Sequence, residues 1–223
     1  MVKLVYTHAL GACLVRGGGS SPLQPTMKIA IALLYGLYTP DRKWYEGYLD
    51  FLSEQFKLNR FQKVLLCGGH TDPKLQNHSE ASTVKSYLLN KYPGLTNCEL
   101  EDRSITTNQN LEFVKSKISP SDDITVYCDQ DRKAKVIWIA LHHLLNIEKN
   151  LIYEQLLKFK SANNLFSDFK YHNLKVVGYD FQFTDKSGTL AQTYTGLLDV
   201  ISLYHPELEK QNIRQRELDF NLK

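Results

Sequence analysis

Residues 63–110 alternate short apolar bursts with polar loops and amphipathic stretches, and this alternation constrains the fold more than any other feature. The burst at residues 64–67 ends in Gly68-Gly69, and a polar loop separates it from an amphipathic stretch at 84–92. A second burst at 98–101 again leads into a polar loop and a helical pattern. Strands that alternate with helices of this length predict βαβ crossovers and a mostly parallel sheet.

The rest of the chain continues the alternation and predicts one α/β domain over residues 1–223, because no linker is long enough to divide it. Right-handed crossovers place helices on both faces of such a sheet. The charged tail from Glu207 is expected as a surface helix or as frayed chain, and residues 163–172 as a polar loop. The predicted strands span residues 2–9, 63–67, 97–101, 124–128 and 174–179, and the predicted helices span 27–37, 41–58, 79–92, 107–118, 131–145, 151–162 and 189–204.

The composition is 43% hydrophobic and 23% charged, which is typical of a soluble globular protein. A net charge of +3, without any run of five basic residues, argues against nucleic acid or an anionic membrane as a partner. No window approaches the roughly 20 apolar residues of a membrane-spanning helix. The apolar run after Lys3 is interrupted by His8 and precedes a glycine loop, which favours a first strand over a signal peptide. We therefore expect a cytoplasmic protein.

The cysteine and histidine spacings do not predict a metal site. No two cysteines form a CxxC pair, and Cys67, Cys98 and Cys128 fall in or beside predicted strands, where reduced cysteines pack as small hydrophobes. His70 and His78 lie with Asp72 in a polar loop, where such side chains are usually solvated. His142-His143 falls inside a predicted helix and is assigned to packing. The predicted helix at 41–58 carries an apolar stripe that is assigned to the core: Trp44, Tyr48, Leu49, Leu52 and Phe56.

Polar or glycine-rich loops follow four predicted strands, and the carboxyl ends of parallel strands share one edge of the sheet. Ligands bind beyond this edge in open α/β sheets. Gly68-Gly69 permits close backbone approach to a ligand, although for the pair taken by itself a tight turn is the better explanation. The spacing matches no dinucleotide-binding or Walker motif. The four strand ends carry Gly11, Gly68-Gly69, the segment from Glu101 to Ser104, and the segment from Asp129 to Arg132.

Two carboxylates in these loops are candidate catalytic groups. Glu80 opens a helix, where an acidic residue also gains from the helix dipole. Its alternative role is that of a general base or of an acceptor for a ligand hydroxyl. Glu101 ends a strand, and paired with Glu80 it would bind a cation or divide acid and base roles.

Short hydrogen-bonding side chains are concentrated at the start of the next helix, in greater number than capping requires. This excess favours ligand contacts. Arg132, after the fourth of these strands, is a candidate for holding a phosphate or for a salt bridge with Asp129. The short side chains are Ser104, Thr106, Thr107, Asn108 and Asn110.

Residues 64–110 resemble the YdcF-like family. The family pattern is an apolar strand ending in Gly-Gly, a loop, Ser-Glu-Ala at a helix start, a strand ending in Glu, and Ser-x-x-Thr-x-x-Asn. The resemblance implies a Rossmann-like three-layer fold with a polar cleft, a link to bacterial envelope biogenesis, and a nucleotide-like ligand such as S-adenosylmethionine. The matching positions are Gly68, Gly69, Ser79, Glu80, Ala81, Glu101, Ser104, Thr107 and Asn110.

The chain departs from the family pattern at three places. Lys28 stands where the family often has an arginine, residues 40–60 look like an added helix, and Gln130 or Asp131 replaces a histidine after the fourth strand. These departures leave the ligand of this chain open.

The main hypothesis is a protein that binds a nucleotide-like or phosphorylated small molecule at this edge of the sheet and is an enzyme that acts on it. Whether it has a catalytic role at all is left open. An alternative is a non-catalytic interaction protein that uses the aromatic segment 44–56, and a second is an S-adenosylmethionine-binding protein. Dependence on a divalent cation and the oligomeric state stay open. In the main hypothesis Glu80 and Glu101 are catalytic, and the ligand contacts come from Gly11, Gly68, Gly69, Ser104, Thr107, Asn110 and Arg132.

Overall fold

The computed structural model describes residues 26–162, 169–181 and 196–221, and its strands form one sheet. Every neighbouring pair of strands is parallel except β5 and β6, which are antiparallel. The strand order is β3-β2-β1-β4-β6-β5. The strands are β1 (Lys28–Leu33), β2 (Lys63–Cys67), β3 (Cys98–Glu101), β4 (Asp123–Asp129), β5 (Phe169–Tyr171) and β6 (Leu174–Tyr179).

Helices cover both faces of this sheet, and β1 shows why. Its alternate residues Ile29 and Ile31 pack with α3 and α4, whereas Ala30 and Ala32 pack on the opposite face with α1 and α2. Two separate hydrophobic cores result, so the predicted three-layer, Rossmann-like α/β fold is confirmed. The helices are α1 (Lys43–Asn59), α2 (Glu80–Lys91), α3 (Thr107–Val114), α4 (Lys133–His143), α5 (Lys149–Ala162), α6 (described for residues 196–204) and α7 (Pro206–Asp219).

The prediction of a helix at residues 27–37 is wrong, because β1 occupies this position. Residues 29–33 of this strand are all apolar, and for such a run periodicity alone cannot distinguish a buried helix from a central parallel strand. The strand predicted at residues 2–9 and the candidate Gly11 lie outside the described residues. With β1 in place, α1 is the crossover that connects β1 to its neighbour β2.

The polar loop predicted near residue 170 contains β5, which pairs with β6 in the register Phe169↔Val176. Two residues connect the strands, and one of them, His172, has a φ of 53°. Three residues are too few to show an alternation of apolar and polar side chains in the sequence. This strand is recognised only by its hydrogen-bonded pairing with β6. The charged tail, left open between helix and frayed chain, is the helix α7.

The apolar stripe of α1 is buried, with one exception. Tyr48, Leu49, Leu52 and Phe56 lie in the core, but Trp44 is 44% exposed, so its assignment to the core is wrong. Trp44 packs against the rings of Tyr35 (centroids 5.9 Å apart) and Phe181 (5.7 Å), and the rest of its side chain lies at the surface. Cys67, Cys98 and Cys128 are buried and reduced, as predicted.

Candidate functional site

A cavity of about 410 Å³ lies beyond the carboxyl ends of the strands. From β1 the chain continues to β2 and β3 on one side of β1, and it then crosses to β4 on the other side. The strand order therefore reverses between β1 and β4. Ligands bind at such switch points in open α/β sheets. The walls come from residues 34–37 after β1, the loop after β2, residues 104–107 after β3, the start of α4 and the end of α7.

Gly68 and Gly69 occupy positions where a side chain does not fit. A Cβ atom on Gly68 would lie 2.6 Å from the Oε2 atom of Glu80, and one on Gly69 would lie 2.1 Å from the carbonyl oxygen of Ser104. Their carbonyl groups accept hydrogen bonds from the first amides of α2, those of Ala81 (3.0 Å) and Glu80 (2.9 Å). The Gly68 amide donates to the Glu101 carbonyl (2.9 Å), which leaves only the Gly69 amide for a ligand.

Glu80 lines the cavity and is 8% exposed. Its helix begins with a capping box in which the Ser79 side chain accepts from the Ser82 amide and the Ser82 hydroxyl accepts from the Ser79 amide. The Thr71 hydroxyl donates to Oε1 of Glu80, and the Gly36 amide also donates to this carboxylate. Burial raises the pKa of Glu80, although these hydrogen bonds and the nearby arginines oppose the shift. A buried carboxylate with a raised pKa is a frequent mark of an acid–base group in an active site.

Glu101 does not line the cavity and is 3% exposed. Its Oε1 atom accepts from the amides of Arg103 (3.0 Å) and Ser104 (3.2 Å), and its Oε2 atom contacts the Ser104 hydroxyl. The same hydroxyl contacts the Asn110 side chain. Glu101 therefore holds Ser104, which does line the cavity, and the structure does not bring Glu101 into the cavity beside Glu80.

The start of α3 places some of the predicted polar side chains in the cavity and uses others for structure. Thr106 caps the helix by accepting from the Gln109 amide (3.1 Å), and Asn108 donates to the Asp199 carbonyl (2.9 Å). Thr107 and Asn110 line the cavity together with Thr106. Within the described chain the amides of Thr107 and Asn108 donate no hydrogen bond, as is usual for the first turn of a helix.

Arg132 lines the cavity between the ends of β1 and β4. Its Nε donates to Oδ2 of the buried Asp129 (2.5 Å), and its Nη2 donates to the Leu34 carbonyl (3.3 Å). The guanidinium also lies 4.1 Å from the centre of the Tyr35 ring. The salt bridge considered in the sequence analysis is thus present, and it fixes a guanidinium at the cavity wall.

Further cationic side chains in the cavity were not identified as ligand candidates from the sequence. Arg42 follows β1 and donates to the Leu37 carbonyl (3.0 Å), and it makes no ion pair within the described ranges. Lys135, near the start of α4, forms an ion pair with Asp199 (2.6 Å). Arg216 comes from α7. No local motif marks Arg42 or Arg216, because only the tertiary structure brings them to the cavity.

Of the candidate residues, the cavity gathers Gly68, Gly69, Glu80, Ser104, Thr107, Asn110 and Arg132. The loop histidines do not join it, and the ring of His70 is hydrogen-bonded to the Gln76 carbonyl (2.7 Å). No group of three or more His, Cys, Asp or Glu residues suited to a metal ion occurs in residues 26–162, 169–181 and 196–221.

Comparison of the chain with protein-family models, with curated proteins and with solved structures finds no match. None of the described helices is long and apolar enough to cross a membrane.

Proposed function

We propose that the protein binds a small anionic ligand, nucleotide-like or phosphorylated, in the cavity and acts on it through Glu80. The observation that carries this proposal is the set of four cations that line one cavity: Arg42, Arg132, Lys135 and Arg216. Arginine presents a planar set of donors that fits phosphate and carboxylate groups. A volume of about 410 Å³ lies within the range of small-molecule sites.

Glu80 is the proposed acid–base group, because it is a buried carboxylate that lines the cavity and has a raised pKa. A ligand whose anionic group lies on Arg42 and Arg132 would present its neighbouring hydroxyl or leaving group to this carboxylate. Glu101 has a different proposed role. It positions Ser104, whose hydroxyl contacts both Glu101 and Asn110.

We also propose that the chain is a YdcF-like protein and is cytoplasmic. Support for the family comes from the order of the motif residues and from their position. Apart from Ser79, which caps α2, the motif residues in the loops after β2 and β3 either line the cavity or make hydrogen bonds to residues that line it. S-adenosylmethionine remains an alternative ligand, although its sulfonium charge suits a cation-lined cavity less well than a wholly anionic molecule does.

The test is isothermal titration calorimetry of the full chain against nucleoside phosphates, sugar phosphates and S-adenosylmethionine. Arg42→Gln removes a cavity cation without leaving a buried carboxylate unpaired, and we expect it to weaken binding roughly tenfold. Arg103→Gln is the matched control, because Arg103 lies over the Phe113 ring and outside the cavity wall. Equal binding by the wild type and Arg42→Gln, or no binding of any ligand, would contradict the proposal.

Catalysis is tested separately with the ligand that binds best. Glu80→Gln keeps a hydrogen-bond acceptor for Thr71 and Gly36 but cannot transfer a proton. We expect ligand affinity within about threefold of the wild type and turnover reduced at least about 100-fold. Unchanged turnover would remove the acid–base role and leave the binding role intact.

A further inference from the structure

The helix α7 forms one wall of the cavity and is held in place by polar contacts. None of its residues is buried. Glu209 accepts from the Thr106 hydroxyl (2.9 Å) and from the Asn108 side chain (3.2 Å). Arg216 donates to the Ile105 carbonyl (2.9 Å), and it lines the cavity together with Phe220. The end of the described chain therefore contributes side chains to the site.

A buried carboxylate lies between two cations on this wall. Asp199 is 1% exposed, and its Oδ2 atom pairs with Lys135 (2.6 Å) while its Oδ1 atom lies 3.9 Å from Arg216. That Oδ1 atom has no hydrogen-bond partner among the described residues. Within the described residues, one carboxylate faces the two cations, so this part of the cavity carries an excess of positive charge there. Burial and the nearby Arg132 and Arg216 lower the pKa of Lys135, as expected where cations are crowded.

The position of Lys135 relative to Arg132 sets the distance between the two anionic groups that a ligand would place beside these side chains. The two residues are three positions apart at the start of α4, and Cβ atoms at this spacing on a helix are about 5–6 Å apart. One anionic group on Arg132 and a second beside Lys135 would thus be directly linked or separated by a short spacer. The amides of Thr107 and Asn108, at the start of α3, lie on the same side of the cavity as Arg216 and favour negative charge.

We infer that Lys135 and Arg216 form a second anion subsite, so that the ligand carries two adjacent anionic groups, as a diphosphate does. This inference rests on the proposed function, since it assigns the ligand class of the same cavity. Besides Glu80, Asp129 and Asp199, two acidic side chains of the described residues lie in or near the cavity wall. Asp72 lines the cavity elsewhere and accepts from the Lys74 amide, and Glu209 does not line the cavity. Neither of them pairs with Lys135 or Arg216.

The experiment titrates the full chain with inorganic orthophosphate and with inorganic pyrophosphate. We expect the wild type to bind pyrophosphate more tightly than orthophosphate. Arg216→Gln should weaken pyrophosphate binding roughly tenfold and leave orthophosphate binding within about twofold, because orthophosphate needs only the first subsite. Arg214→Gln, on the exposed side of the same helix, should bind both anions as the wild type does.

A second variant separates ligand binding from the attachment of α7. Glu209→Gln weakens the contacts of α7 with Thr106 and Asn108 but leaves the cavity cations in place. We expect it to retain the preference for pyrophosphate. Loss of that preference in Glu209→Gln, to the same degree as in Arg216→Gln, would show that Arg216 acts only by holding the helix and would overturn the inference.

The remaining outcomes distinguish this inference from the proposed function. Equal affinity of the wild type for the two anions, or undiminished pyrophosphate binding by Arg216→Gln, overturns the second subsite alone. Binding of neither anion by the wild type overturns the second subsite, and the proposed function is then judged by the nucleotide and sugar-phosphate titrations.

Discussion

The backbone of Gly69 lies against the backbone of Ser104, so that a Cβ atom on Gly69 would be 2.1 Å from the Ser104 carbonyl oxygen. This contact joins the loop after β2 to the loop after β3, and both loops line the cavity. Because the neighbouring atom belongs to the main chain, it cannot move aside as the end of a side chain would. The site therefore depends on a glycine at this position for packing, before any contact with a ligand.

Gly69→Ala should lower the free energy of unfolding by about 2–4 kcal/mol, because one of the two loops must shift. Gly94→Ala is the matched control. A Cβ atom on Gly94 would first meet the edge of the Tyr92 ring, at 3.1 Å, and this side chain can rotate. We expect a loss below about 1 kcal/mol for the control. Urea denaturation measures both values, and equal losses would contradict the packing role of Gly69.

Gly68→Ala should displace Glu80, because the new Cβ atom would lie 2.6 Å from Oε2 and 2.8 Å from Cβ of this residue. We expect a loss of roughly 1–3 kcal/mol and weaker ligand binding. In a Glu80→Gly background the Cβ clash is absent, so the same substitution should cost roughly 1 kcal/mol less. A double-mutant cycle measured by denaturation gives this coupling, and strictly additive effects would refute it.

Glu80→Gln should stabilise the protein at neutral pH. The pKa of Glu80 is raised above its ordinary value of 4.5, chiefly by burial, so the folded state favours the neutral carboxyl group. The wild type therefore loses stability as the pH rises above 4.5, while Glu80→Gln does not. Denaturation curves from pH 4 to pH 8 should show a stability difference that grows with pH, whereas Glu112→Gln, at an exposed position on α3, should show none. A constant difference across this range would be inconsistent with the raised pKa.

The loops after β2 and β3 could be located from the sequence because each follows a strand with clear boundaries and precedes a capped helix. Ser79 and Thr106 cap α2 and α3 as their residue types predict, and these caps fix Glu80 and Thr107 at the helix starts. Short-range rules of this kind depend only on neighbouring residues. They therefore place a residue at the edge of the sheet without showing which way its side chain points.

The direction of Glu101 and the contribution of Arg216 could not be predicted, since the first depends on the folded conformation of the loop after β3 and the second on contacts between distant parts of the chain. Glu101 points away from the cavity because the amides of Arg103 and Ser104 supply its hydrogen bonds, and only the folded loop brings them together. Arg216 reaches the cavity from α7, where it donates to the carbonyl of Ile105, a residue 111 positions earlier in the chain. The identity of β1 was missed for a related reason, as a strand buried on both faces has no polar side to give a period.

Asp199→Asn should lower the free energy of unfolding by about 3–5 kcal/mol, because it leaves the charge of Lys135 buried without a partner. The double variant Lys135→Met, Asp199→Leu should recover much of this loss, since it removes both charges. Glu207→Gln serves as the comparison. It breaks the exposed pair with Lys210, and we expect a change below about 1 kcal/mol. Equal effects of Asp199→Asn and Glu207→Gln would show that the buried pair does not contribute.

His143 should make the protein less stable in mild acid. Burial, together with the nearby His142, Lys115 and Lys149, lowers the pKa of this histidine from 6.5 to about 4. Its Nε2 atom is buried and finds no hydrogen-bond partner in the part of the chain that the structure describes. As the pH falls from 6.5 to 4, the unfolded chain takes up a proton that the folded chain does not, so stability falls by at most about 3 kcal/mol.

In His143→Leu this part of the pH dependence should disappear, whereas His78→Gln, at an exposed position, should keep it. The measurement is the free energy of unfolding at half-unit pH steps, and an unchanged slope in His143→Leu would exclude His143 as its source.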